Sequence, residues 1–146
     1  MTRFLLGILV VLALSTGTIS FLAIPAAASP GYMYDCDLQG TDQAHGWITP
    51  KMAFVVEKQG EVKVVDGVVL HFNKAPLAAK VLRNDGKRMI LKWVVTNAKA
   101  DSGRTFNNFR YRASISKSSG KVEVTAIPAH FDTGVRATGV CKKRTK

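Results

Sequence analysis

LAAKVLRNDGKRMILKWVV, residues 77–95, is the stretch whose reading decides the fold. Leu77, Ala79 and Val81 alternate with Ala78, Lys80 and Leu82. After Asn84-Asp85-Gly86, Met89, Leu91, Trp93 and Val95 alternate with Arg88, Ile90, Lys92 and Val94. A period of two with one apolar side is the mark of a strand buried on one face. Asn-Asp-Gly between two such runs predicts a three-residue hairpin loop, with Gly86 at the position that needs positive φ. This register sets Val81 opposite Met89 and Ala79 opposite Leu91.

The same apolar face continues downstream. Phe109, Tyr111, Ala113 and Ile115 alternate with Arg110, Arg112, Ser114 and Ser116. Lys117-Ser118-Ser119-Gly120 is a turn, and Val122, Val124 and Ala126 then alternate with Lys121, Glu123 and Thr125. Residues 97–108 read as a long loop, and Val135 to Cys141 as the last strand. Upstream, strands are expected at 32–38, in a region covering 47–48 and 52–57, at 61–65 and at 68–72. Asp66-Gly67 is read as a tight hairpin or a bulge. No stretch keeps helical apolar spacing between caps, so little helix is expected. The fold class is therefore all-β, a single antiparallel meander of seven or eight strands closed as a small barrel, with a β-sandwich as the alternative.

The two ends of the chain support closure. Residues 1–28 have the form of a signal peptide: Arg3, an apolar run from Phe4 to Leu14, and Ala26-Ala27-Ala28 before a cut after Ala28. Such a segment directs secretion, most simply to a bacterial periplasm. A retained anchor is the other reading of the same segment. Residues 29–146 then form one all-β domain with a short basic C-terminal tail at 142–146. Cys36 and Cys141 are the chain's two cysteines, at opposite ends of that domain. In an oxidising compartment they are expected to pair, stapling the first strand to the last.

The chain carries 21 Lys and Arg against 10 Asp and Glu, a net charge of +11. Such a balance favours anionic partners: lipid head groups, acidic glycan or nucleic acid, the last unexpected in a secretory compartment. In the strand register Lys92 falls opposite Arg112 on the outward face, Arg88 and Arg110 share that face, and Lys80 lies on the neighbouring strand. Like charges facing each other on a sheet are unfavourable, and an anion across them would relieve the repulsion. Lys80, Arg88, Lys92, Arg110 and Arg112 are the candidate anion-binding residues. Residues 142–146 form a second basic cluster.

Catalytic and metal chemistry leave no comparable pattern. His45, His71 and His130 lie too far apart in sequence for a local zinc motif. Asp35 and Asp37 flank Cys36 and share a side if extended, yet no partner for acid–base work is evident. There is no Gly-x-Ser-x-Gly elbow and no phosphate loop. No cofactor, no metal and no enzymatic activity are expected. Trp47, Phe54, Trp93, Phe109 and Tyr111 are read as core, or as the wall of a cavity if the barrel is hollow. Phe106 and Phe131 are read as loop residues.

Tyr34-x-Cys36 near the start of the domain and Gly139-x-Cys141 near its end form a layout that resembles periplasmic and membrane-bound inhibitors of C-type lysozyme. Arg110-Tyr111-Arg112-Ala113-Ser114, with Gly120 after it, is similar to stretches of small uncharacterised secreted β-barrel proteins of Gram-negative bacteria. These resemblances imply a barrel plan and no particular activity. A counterpart of the lysozyme-inserting loop is missing, and the positive charge would repel a basic lysozyme. The leading expectation is a periplasmic, non-enzymatic binding protein that presents a basic face to an anionic envelope component. The alternatives are a small-molecule carrier with Trp93 and Tyr111 at the wall, and an inhibitor or protein-interaction module acting through the 97–108 loop.

Overall fold

In the computed structural model, which describes residues 31–99, 103 and 105–145, eight antiparallel strands close into one barrel. They are β1 (Tyr32–Gln39), β2 (Lys51–Val56), β3 (Val62–Asp66), β4 (Leu77–Asn84), β5 (Arg88–Lys99), β6 (Thr105–Ser116), β7 (Lys121–Pro128) and β8 (Val135–Thr145). Each strand pairs with the next, and β8 returns to β1. Closure gives every strand a neighbour on both sides, with β3 and β4 meeting over three residue pairs, Val62–Ala79 to Val64–Leu77. The expected signal segment, residues 1–28, lies outside the described residues.

Alternation does what the sequence pattern requires. Met89, Leu91, Trp93 and Val95 of β5 point inward beside Phe109, Tyr111, Ala113 and Ile115 of β6 and Val122, Val124 and Ala126 of β7, and all are buried. The seam between the terminal strands is Cys36 directly opposite Cys141, joined by a disulfide. Both cysteines belong to the buried core.

Four expectations change in the folded chain. Residues 68–72 are not a strand. They belong to a short helix, α1 (Gly67–Asn73), capped by Asp66, whose Oδ1 accepts from the Val69 amide at 2.6 Å. The β-branched run suits a strand locally. Burying Val68 and Val69 across the barrel end, against β3 and β5, overrides that preference.

The β4–β5 register also differs. Val81 faces Leu91 and Lys80 faces Lys92, with a bulge between Val81 and Arg83. Gly86 does not take positive φ. The turn is held instead by Asp85, whose Oδ1 accepts from the amides of Lys87 and Arg88 at 2.8 and 2.7 Å. A carboxylate that bonds its own backbone makes this turn without a left-handed glycine.

The 97–108 loop is mostly strand. β5 runs to Lys99 and β6 starts at Thr105, with Ala98 opposite Phe106 and Lys99 opposite Thr105. Phe106 is thus a strand residue. Finally, residues 142–145 continue β8 and pair with β1, so they are barrel wall and not a tail.

Candidate functional site

The interior is packed by aromatic rings. Trp93 and Tyr111 stack at 5.2 Å, Phe54 meets Trp93 edge-on at 5.8 Å, and Trp47 stacks on Phe109 at 4.3 Å. Trp47 also lies against Phe72 of α1, closing the end of the barrel where the helix sits. Tyr111 donates its hydroxyl to the Trp47 carbonyl at 2.9 Å, and burial pushes its pKa up. The two residues expected at a carrier's wall therefore pack on each other. Two buried polar atoms, Asp66 Oδ2 and Trp93 Nε1, have no hydrogen-bond partner among the described residues. Burial raises the Asp66 pKa, against the opposing pull of the Val69 and Val68 amides.

The histidines stay separate. His45 and His130 occupy left-handed turns, and His71 on α1 rests edge-on against Phe72 at 4.6 Å. Among the described residues, no group of three His, Cys, Asp or Glu could hold a metal. Asp35 and Asp37 are ion-pair partners: Asp35 Oδ2 accepts from Arg144 Nε at 2.9 Å, and Asp37 pairs with Lys51. The hydrogen bond from Lys51 holds the Asp37 carboxyl below its ordinary range.

Charge is distributed unevenly over the barrel. Residues 74–121, which build β4, β5 and β6 and open β7, contain twelve Lys and Arg and two Asp, a net of +10 out of the chain's +11. The remainder of the chain is nearly balanced, and four of its cations pair: Lys51 with Asp37, Lys63 with Glu57, Arg136 with Glu123, and Arg144 with Asp35. Lys143 lies over the Tyr32 ring at 4.2 Å. The second basic cluster is thus tied into the β1–β8 seam. Within 74–121, Arg83 is the only cation among the described residues that has a carboxylate beside it, that of Asp85.

Three of the five candidate residues form one row. Lys80, Lys92 and Arg112 sit directly opposite one another on β4, β5 and β6, all exposed. With strands about 4.8 Å apart, three cations fall within roughly 10 Å. Arg110 lies one outward position along β6, opposite Val94, and its Nη2 donates to the Phe131 carbonyl at 3.4 Å. Arg88 is further away, four residues down β5, or roughly 13 Å at strand spacing. It lines an outer groove of 790 Å³ with Ser114, Ser116 and Lys121 and with the carboxylates of Asp37 and Glu123.

Sequence reasoning did not single out Leu82, Val94 or Lys121 for this face. Alternation sets Leu82 on the same side as Lys80, but its neighbours there depend on the β4–β5 register and the bulge beside it. Lys121 was visible only as one charge of an alternating strand.

The chain matches no protein-family model, no curated protein and no solved structure.

Proposed function

We propose that this chain is a secreted, periplasmic binding protein with no enzymatic role, whose β4–β6 face holds an anionic component of the envelope, a lipid head group or an acidic glycan. One observation carries the reading: Lys80, Lys92 and Arg112 face one another across three strands, and none has a carboxylate beside it among the described residues. Directly opposed like charges cost stability in a sheet. Elsewhere on this barrel the same strand geometry is used to pair opposite charges, as Lys51 on β2 does with Asp37 directly opposite it on β1. An anion bridging the row would turn the repulsion into a binding energy. The disulfide is compatible with an oxidising compartment such as the periplasm.

The test is a salt series of binding to anionic vesicles and to a soluble polyanion, with the wild type and K92E/R112E. A basic residue near an anionic surface contributes about 1 kcal/mol, or roughly fivefold, so losing two should weaken binding by about 25-fold and reversing them by more. Unchanged binding of both probes by the double variant would overturn the proposal.

A further inference from the structure

We infer that the basic face docks on a bilayer rich in anionic lipid, with Leu82, Val94 and Phe131 entering the head-group layer between the cations. The inference rests on the functional reading above and selects one of its two partner chemistries. Among the described residues, the large apolar side chains left exposed are Leu70, Leu82, Val94, Phe131 and Val140. Single exposed apolar residues are ordinary. Here Leu82 and Val94 are the next outward positions beside the cation row, and Phe131 is on the loop whose carbonyl Arg110 holds next to it.

Their placement follows from the backbone. Val94 is the next outward position after Lys92 on β5, and it faces Arg110. The Arg110 guanidinium reaches the Phe131 carbonyl, which brings the loop after β7 to the same margin of the row. Phe131 is 47% exposed there. On the other side of the row, Leu82 is the next outward position after Lys80 on β4, where the bulge lies, at 45% exposure. A bulge re-aims side chains at a local cost in pairing. The cation row is therefore flanked by apolar side chains on both margins.

This combination separates a bilayer from a soluble polyanion. A glycan or other hydrated polyanion is met by the cations alone, and apolar side chains among them would gain little. A lipid surface rewards both, since cations attract the head groups while adjacent apolar side chains reach the acyl boundary. Lys and Arg stems bend toward the phosphates as their neighbours sink.

The experiment compares the disulfide-bonded protein with L82S/V94S/F131S and with the single variant L82S. The probes are phosphatidylglycerol/phosphatidylethanolamine vesicles, phosphatidylcholine vesicles and heparin. The triple variant should lose at least about tenfold in affinity for the anionic vesicles, L82S should lose part of that, and both should bind heparin as the wild type does. The wild type should retain measurable binding to anionic vesicles at about 1 M salt, where the screening length is about 3 Å, and should release heparin. Vesicle binding unchanged in the triple variant, or salt removing the protein from vesicles as completely as from heparin, would overturn the inference. Binding of heparin without vesicles would overturn this inference and leave the functional reading standing. Binding of neither would overturn both.

Discussion

Replacing both cysteines, C36A/C141A, tests the closure of the barrel most directly. The bond joins residues 105 apart in sequence. In the chain-entropy description, a cross-link closing a loop of this length removes about 4.7 kcal/mol of freedom from the unfolded chain. The folded state contributes little to the difference, because the β1–β8 ladder already holds the two backbones side by side from Tyr32–Thr145 to Gln39–Thr138. A domain of this length has a total stability of roughly 6–17 kcal/mol. The variant should therefore stay folded but lose about 3–5 kcal/mol. Urea unfolding followed through Trp47 and Trp93, both stacked in the folded barrel, measures this. The slope m should rise as well, since an unlinked unfolded chain exposes more surface. Native-state reduction of the wild type should be slow, because Cys36 is 0% and Cys141 5% exposed, and attack on the bond waits for opening. A loss below about 1 kcal/mol with unchanged m would refute the reasoning, since the cross-link would then not constrain the unfolded chain.

Asp66 is a buried cap whose pKa is raised above its ordinary 3.8, so the stability it supports is complete below that value and declines as pH rises through the folded value. D66N keeps the acceptor for Val69 without the buried charge. It should be at least as stable as wild type at pH 7, whereas D66A should lose about 1–2 kcal/mol of cap. The wild-type-minus-D66N difference should fall with rising pH, and a flat difference in urea midpoints from pH 4 to 8 would count against this account. Asp85 acts in the opposite direction: the Arg88 amide, with Arg83 and the Lys87 amide, lowers its pKa to about 2, so the stability it adds is lost as pH falls from 3.8 through that value. Gly139 is the third position, where a Cβ would overlap the Asp37 carbonyl oxygen across the β1–β8 seam. G139A should cost more than about 2 kcal/mol in thermal unfolding, and a neutral result would mean that β8 does not approach β1 this closely.

The candidate site was partly legible in the residues. Lys92 opposite Arg112 follows from alternation on two long strands, and the structure has that pair. Lys80 opposite Lys92 does not follow. The Asn84-Asp85-Gly86 reading put Val81 opposite Met89, two residues away from the observed partner Leu91. Only the turn held by Asp85, with the bulge behind it, moves Lys80 into the row. Residues 142–145 show the reverse case. As sequence they are a basic cluster, but on the barrel Arg144 and Lys143 are engaged by Asp35 and Tyr32.

By itself the sequence determined which side chains face inward, because a period of two commits each strand to one buried face whatever its partner. It also determined that the two cysteines bracket the domain, and hence what closes the seam. The tertiary structure decided everything that depends on which residues meet. Val68 and Val69 became helix because the open end of the barrel offered burial that a further strand did not. The register at β4–β5 was set by a side-chain-held turn that local propensity does not encode. The net charge became a face only when β4, β5 and β6 were laid side by side, since a charge count along a chain carries no information about its neighbours across a sheet.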